Sequence, residues 1–322
     1  MSDDELTEFT SGESLDVLVP SSLSGVRIDR AIAMLTGLSR NDVTKLVGDG
    51  RVTIDGRLVT KASVALVEDQ RLFAALPEDD DGIVRPDASV PVDVILEDEH
   101  FVVVNKAADQ VVHPGAGRSD GTLVAGVAAR YPEILQLAVD EVCEPLRPGV
   151  VHRLDKGTSG LLVFARTEEG FYALSDQLAD RSMGRTYVGL VEGDVTEERG
   201  VVDAPIGRSV KVPTMMAVKS DGRPARTGYE VIQRISKPRA LTLLRLRLET
   251  GRTHQIRVHL SAIGHPVVND TRYGQRRDKR LSEERFFLHS ETLSFDHPVT
   301  GERITTQVDL PNDIASLVAP PV

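Results

Sequence analysis

The chain has 322 residues, 40% hydrophobic and 27% charged, which is enough for two or three domains with a sizeable core. A single cysteine, Cys143, excludes an internal disulfide framework and fits a reducing cytoplasm. No apolar run nears the length of a membrane span, and the acidic N-terminus has none of the marks of a signal peptide.

The net charge of −11 argues against a polyanionic partner only until its distribution is considered. Residues 1–20 hold six acids and no base; residues 77–99 hold nine acids against Arg85 alone. Those stretches carry −6 and −8, so the rest of the chain stands at +3. Residues 1–20 therefore read as a disordered acidic tail, and 77–91, rich in Pro, Asp and Gly, as a linker.

Between them, residues 21–76 form a first domain. Ile28, Ala31, Ile32 and Leu35 recur at helical spacing, and Gly37 ends that helix. Ser39 caps a second helix from Arg40 to Val47. Arg51–Ile54 and Arg57–Val59 flank Asp55-Gly56, a strong hairpin signal. Arg27, Arg30, Arg40 and Lys45 give the helices a basic character, which charge alone leaves open between solvated surface and RNA contact. Val26 to Phe73 resembles the small RNA-binding domain first seen in a small-subunit ribosomal protein, the S-four type. That resemblance implies contact with RNA phosphates.

The second domain spans residues 92–322. Val92–Glu97 and Phe101–Lys106 read as strands, Leu123–Arg130 as a short helix stopped by Tyr131-Pro132, and 132–149 as a mobile loop. Leu161–Ala165 is a buried strand led in by a glycine- and serine-rich loop containing Asp155 beside His152, Arg153 and Lys156. These residues alone leave Asp155 as either a turn residue or a nucleophile. Glu168–Asp180 is an amphipathic helix with Phe171, Leu174 and Leu178 on one face, and Thr186–Val191 is a strand carrying Tyr187. From Arg208 to Arg257 twelve bases face three acids, a surplus suited to a polyanion. Within it, Leu244, Leu246 and Leu248 alternate with Arg245, Arg247 and Glu249 as a half-buried strand. A helix begins near Thr253, which can cap it, and ends at Gly264. Arg285–Asp309 supplies one or two further strands.

The histidines have no metal-chelating spacing, no phosphate-cradling glycine loop occurs, and no nucleophile elbow is present. What remains is one carboxylate among arginines, a strand tyrosine and a basic surface. His152–Leu161 resembles the signature loop of the RluA-type pseudouridine synthases. Asn105-Lys106 with Val111–Gly117, Arg185–Tyr187, and Gly251–His259 resemble their other motifs, in family order. The added N-terminal domain and the His-Pro-Gly-Ala-Gly run place the likeness in the RluD branch, which acts on large-subunit ribosomal RNA. The sequence departs from the family at Ala107, commonly Pro, and at Arg185, where many relatives have Lys.

The resemblance implies an α+β fold, a mainly antiparallel mixed sheet flanked by helices and loops. It implies isomerisation of uridine to pseudouridine, with no cofactor and no metal. Asp155 takes the place of the family nucleophile, Arg257 of its charge partner and Tyr187 of the active-site tyrosine. Arg153 matches the residue that enters as the target base is extruded. Ile256 forms an apolar wall, and His152, Arg252 and His254 are scaffold or RNA contacts. The implied partner is ribosomal RNA or a pre-ribosomal particle, with no membrane, and the protein is expected as a cytoplasmic monomer. Two other readings stay open. One is a ribosome-binding factor without chemistry, against which Asp155, Tyr187 and Arg257 weigh. The other is an aspartate-dependent hydrolase of small molecules, against which the basic stretch and the N-terminal module weigh.

Overall fold

The computed structural model describes residues 14–36, 38, 40–76, 83–114, 121–274 and 276–318. It separates into two units, one within residues 1–83 and one built from Val84–Pro114 and the chain beyond residue 120.

The first unit contains β1 (Ser14–Leu18), α1 (Ile28–Thr36), α2 (Arg40–Gly48), β2 (Val52–Ile54), β3 (Arg57–Leu58) and β4 (Arg71–Ala75). Its antiparallel sheet has the order β1-β4-β2-β3. The expected hairpin forms, with Asp55 at φ 49° and Gly56 at φ 76°, the paired left-handed residues of a type I′ turn. Ile28, Ala31 and Ile32 of α1 and Val43, Leu46 and Val47 of α2 share one core with Leu15, Val52, Leu72 and Ala74 of the sheet. Ser14–Leu18, expected within the tail, is instead an edge strand. Leu15 is fully buried, and Asp16 pairs with Arg71 on the outer side at 2.8 Å. Acid content hid this short alternation of Leu15, Val17 and Val19. The rest of the expected tail, together with Gly37 and Ser39, lies outside the described residues.

The second unit runs β5 (Val94–Glu97), β6 (Phe101–Lys106), α3 (Leu123–Arg130), α4 (Gln136–Val139), β7 (Ser159–Ala165), α5 (Glu168–Ala179), β8 (Gly184–Glu192), β9 (Arg199–Asp203), β10 (Ile206–Arg208), β11 (Met216–Val218), β12 (Arg226–Ile235), β13 (Leu241–Leu248), α6 (Gln255–Ala262), β14 (Leu288–Asp296), β15 (Arg303–Gln307) and α7 (Asn312–Ala315). The main sheet has the order β5-β6-β7-β14-β8-β13-β12-β9, with β15 on β14. Among the described residues only β7 and β14 pair in parallel; their neighbours pair antiparallel. Every residue of β7 is buried, as its unbroken apolar run requires.

Several local expectations change. Residues 132–149 include a 3-10 turn, Pro132–Leu135, and then α4, both anchored by buried Ile134 and Leu137. Val84, within the expected linker, is buried in the core of the second unit, and 77–82 lie outside the described residues. The cap of α6 is His254, not Thr253, with left-handed backbone at φ 56° and no capping side-chain bond. Gln255 instead ties down the turn that precedes the helix. Its Oε1 accepts from the Arg252 amide at 3.0 Å and from Thr250 Oγ1 at 2.7 Å. Its Nε2 donates to Arg226 O and Thr227 Oγ1. The expected alternation of β13 holds only in its C-terminal half, because Leu241–Leu244 are buried on both faces.

The sheet order positions the site. Ser290 of β14 lies opposite Gly160 of β7 on one side and Tyr187 of β8 on the other. The loop before β7 and the tyrosine of β8 are thereby brought to the same end of the sheet. α6 lays Ile256 and Leu260 into the core that holds Tyr187, Leu246 and Leu288.

Candidate active site

The loop before β7 is held from behind by two buried cations. Lys106 at the end of β6 donates to the carbonyls of Ala107 (2.7 Å), Gln110 (2.9 Å) and Lys156 (3.2 Å), which uses every hydrogen of its ammonium group. Burial pushes its pKa down to about 7. Arg285 donates to Gly157 O at 2.8 Å and Ser159 Oγ at 3.0 Å, and its Nε reaches Asp313 of α7 at 2.7 Å. A backbone bond from Thr158 N to Asp155 O closes the turn at 3.0 Å. The Asp155 side chain is therefore not needed for turn chemistry and accepts no backbone N–H among the described residues.

Asp155 Oδ2 instead accepts from Arg257 Nη1 at 2.8 Å, while Oδ1 lies 3.9 Å from His254 Nε2. Arg257 is only 6% exposed. Its other edge forks onto Asp270, at 2.6 Å and 3.0 Å, and its plane lies 4.2 Å from the Phe286 ring centre. Burial alone would lower its pKa, but the hydrogen bonds and negative charge of Asp270 and Asp155 outweigh burial and raise it. Asp270 is itself fixed by the amides of Arg272 and Tyr273. Lys156, adjacent in sequence to Asp155, pairs with Glu284 instead.

These groups open onto a cavity of about 390 Å³. Tyr187, Ile256, Arg153, His152, Arg252 and His254 all line it, so the structure gathers every residue expected at the site of this unit. Tyr187 is nearly buried, and burial raises its hydroxyl pKa. Burial holds His152 down at about 3, so the ring is neutral, and its Nε2 accepts from Val163 N at 3.2 Å. Burial also lowers the pKa of His254 despite Asp155 nearby, and its Nδ1 is 2.7 Å from Tyr273 Oη. Arg153 is exposed, with Nη1 3.1 Å from His113 Nε2. His113 Nδ1 is 2.8 Å from Pro114 O, an arrangement that leaves Nε2 as the acceptor.

Arg27, Arg30, Arg40 and Lys45 belong to the other unit and are all exposed. Arg27 and Arg40 both clamp buried Asp29, each at 2.8 Å. The basic stretch is partly neutralised by acids from neighbouring strands and loops: Arg234 pairs with Glu198 and Asp194, Arg239 with Glu192 and Asp278, and Arg226 with Glu249 and Asp203. Sequence reasoning missed Asp270, Tyr273, Gln255 and Arg285. Each acts through pairing with residues distant in sequence, and none sits in a periodic pattern that would mark it.

An aspartate braced by a buried arginine beside a tyrosine-walled cavity defines an enzyme site, and comparison with known proteins assigns its class. The chain belongs to the RNA pseudouridylate synthase family, whose model matches residues 100–262, and it is an RluA/RluD-type enzyme. It is 39% identical over 313 residues to the ribosomal large subunit pseudouridine synthase D of Nitrosomonas europaea, covering 95% of this chain and 87% of that one. It is 36% identical to YlyB of Bacillus subtilis, an uncharacterised RNA pseudouridine synthase, covering 94% and 97% of the two chains. Human RNA pseudouridylate synthase domain containing 1 superposes with a TM-score of 0.55 at 28% identity, over 70% of this chain and 86% of that one. No helix among the described residues is long and apolar enough to cross a membrane.

Proposed function

We propose that this enzyme isomerises specific uridines of large-subunit ribosomal RNA to pseudouridine, with Asp155 as the nucleophilic carboxylate. The pairing of Asp155 with Arg257 at the cavity mouth carries this reading. A buried arginine fork aims the carboxylate through a charge-assisted hydrogen bond, and Asp270 keeps the fork from turning. Tyr187 and Ile256 supply the surfaces that hold the base. Arg153, exposed at the rim, fills the space left when the target nucleotide is extruded, which offsets part of the few kcal/mol that unstacking costs. Arg252 and His254 contact the RNA around that nucleotide, and neutral His152 orders the loop from within.

In the first unit the helix–helix–hairpin order and the exposed Arg27, Arg30, Arg40 and Lys45 support an S-four-like domain that grips RNA phosphates. The names of the relatives support large-subunit ribosomal RNA as the substrate. Action as a monomer in the cytoplasm belongs to the same reading, and the single cysteine fits a reducing compartment.

Asp155→Asn keeps the shape and removes the charge. It is expected to bind ribosomal RNA with near-parental affinity and to form no pseudouridine, as read by chemical mapping of the RNA. Turnover by this variant would remove Asp155 from the chemistry. Binding of the parent should weaken steeply with salt as counterions are released at each phosphate contact.

A further inference from the structure

Four arginines line the cavity: Arg153, Arg185, Arg252 and Arg257. Three have partners. Arg153 meets His113, Arg252 donates to Pro224 O, and Arg257 is held by Asp155 and Asp270. Arg185 differs. It is 7% exposed, yet its guanidinium forms no hydrogen bond and no ion pair among the described residues, and its Nε is sealed from solvent without an acceptor. A guanidinium offers five N–H donors and no acceptor; here the sealed Nε–H goes unmet, and the terminal nitrogens have no protein acceptor among the described residues and are left to the cavity. A buried polar group without a partner calls for an explanation, and a catalytic role is one of the few available.

The surroundings specify that ligand. Arg185 stands two residues before Tyr187 on β8, so both side chains leave the same face of the strand. An atom added at Cα of Gly251 would lie 2.7 Å from Arg185 Nη1, so the guanidinium is packed against the turn that leads into α6. Asp155 is the only acid among the described residues that line the cavity, and Arg257 already engages it. His152, the nearby ring, is neutral and adds no charge. The site therefore holds one uncommitted buried cation beside the tyrosine on which a flat base would lie. A phosphodiester keeps its water outside such an enclosure, whereas an extruded base enters it.

We propose that Arg185 is a catalytic residue that holds the uracil during its detachment, donating to a carbonyl oxygen of the base and carrying the negative charge it gains. This rests on the reading of the cavity as the uridine site. When the N1–C1′ bond breaks, the bonding pair leaves with the base and spreads over N1, O2 and O4, while the Asp155 carboxylate meets the electron-poor sugar carbon. The base turns against the fixed guanidinium, C5 bonds to C1′, and the Asp155 oxygen leaves C1′ with its electron pair, restoring the carboxylate. The C5 proton is then lost and N1 gains one, so the product is an isomer and no other reactant is consumed. A planar fork suits this role because it can pass from one carbonyl of the ring to the other as the base rotates.

The test is single-turnover conversion of a uridine-containing ribosomal RNA fragment by Arg185→Met and Arg185→Lys, with RNA affinity and urea unfolding measured on the same proteins. Arg185→Met is expected to slow conversion about 100-fold or more, the size of effect seen when one donor to a developing charge is removed. Its RNA affinity should stay within about threefold of the parent, since no phosphate contact is lost. Its unfolding midpoint should equal or exceed that of the parent, because an unpaired buried cation has been removed. Arg185→Lys should retain more of the rate, having kept the charge and lost the fork. Unchanged conversion by Arg185→Met would overturn the proposal. So would a weakened affinity with a salt dependence reduced by about one counterion, which marks a phosphate contact. A midpoint that falls along with the rate would make Arg185 structural. Asp155→Asn run in parallel separates the two claims: turnover by that variant defeats the assignment of the cavity itself, whatever Arg185 does.

Discussion

Arg257 shows how closely a single residue can tie stability to chemistry. It joins Asp155, which faces the cavity, to Asp270, which is 1% exposed. Truncating it leaves Asp270 buried and unpaired, a defect worth about 3–5 kcal/mol. Arg257→Ala is expected to show that loss in urea unfolding, and Arg257→Ala with Asp270→Asn should recover part of it while leaving activity low. Full additivity of the two changes would mean that the pair is not coupled. The Asp155–Arg257 contact was readable from sequence only through motif likeness, since 102 positions separate the two. Asp270 was not readable at all, because nothing in Asn269-Asp270-Thr271 distinguishes a buried acid from a turn.

Among the elements, β7 and β14 make the tightest demand. Gly160 has φ 110°, and a Cβ there would sit 2.2 Å from Ser290 O. Gly160→Ala should therefore destabilise by well over the ~1 kcal/mol typical of an unfavourable glycine replacement, and should loosen the loop before β7. Gly301, at φ 70° with nothing near its missing side chain, provides the control, and Gly301→Ala should cost about 1 kcal/mol. Comparison of urea midpoints decides the matter; equal losses would show that strand approach is unimportant. Elements with a strong local signature could be read in advance. The Asp55-Gly56 hairpin, α3 stopped before Pro132, and the apolar run of β7 all follow from short-range rules. β9 through β12 were missed because β10 and β11 are only three residues long and glycine interrupts the pattern of β9 and β12. The start of α6 was misplaced because its cap, His254, has left-handed backbone and no capping side-chain bond, and Gln255 fixes the preceding turn.

At the scale of the whole molecule, buried histidines shape the response to acid. Burial holds His152 at about 3 and His289 at about 4, below the usual value near 6.5. Both are thus neutral when folded and take up protons first when unfolded. Their contribution is complete above about pH 6.5 and is lost as pH falls toward 4, at up to about 1.4 kcal/mol per pH unit for each ring. Urea midpoints recorded from pH 7 to pH 4 should fall in that window, and His289→Gln should flatten part of the slope. The division into two units gives a second prediction. Removal of residues 1–76 should leave a folded second unit that converts uridine in short RNA, with weakened or relaxed choice among ribosomal sites. Complete inactivity of a folded truncation, judged by circular dichroism and conversion, would contradict that division.

The parallel pairing of β7 with β14 also governs when the enzyme comes into being. β7 ends at Ala165, but the strand that separates it from β8 begins only at Leu288. A chain growing on the ribosome can form β6–β7 and the β8–β13–β12 ribbon early, since those partners are close together in sequence or already made. The two halves cannot be joined until the strand between them has emerged, and closing so long a stretch is slow. Asp155 belongs to the first half, and Tyr187 and Arg257 to the second. The nascent chain therefore cannot isomerise uridine until its translation is nearly complete, whatever its first unit already binds, and a nonsense codon anywhere before β14 yields no partial enzyme.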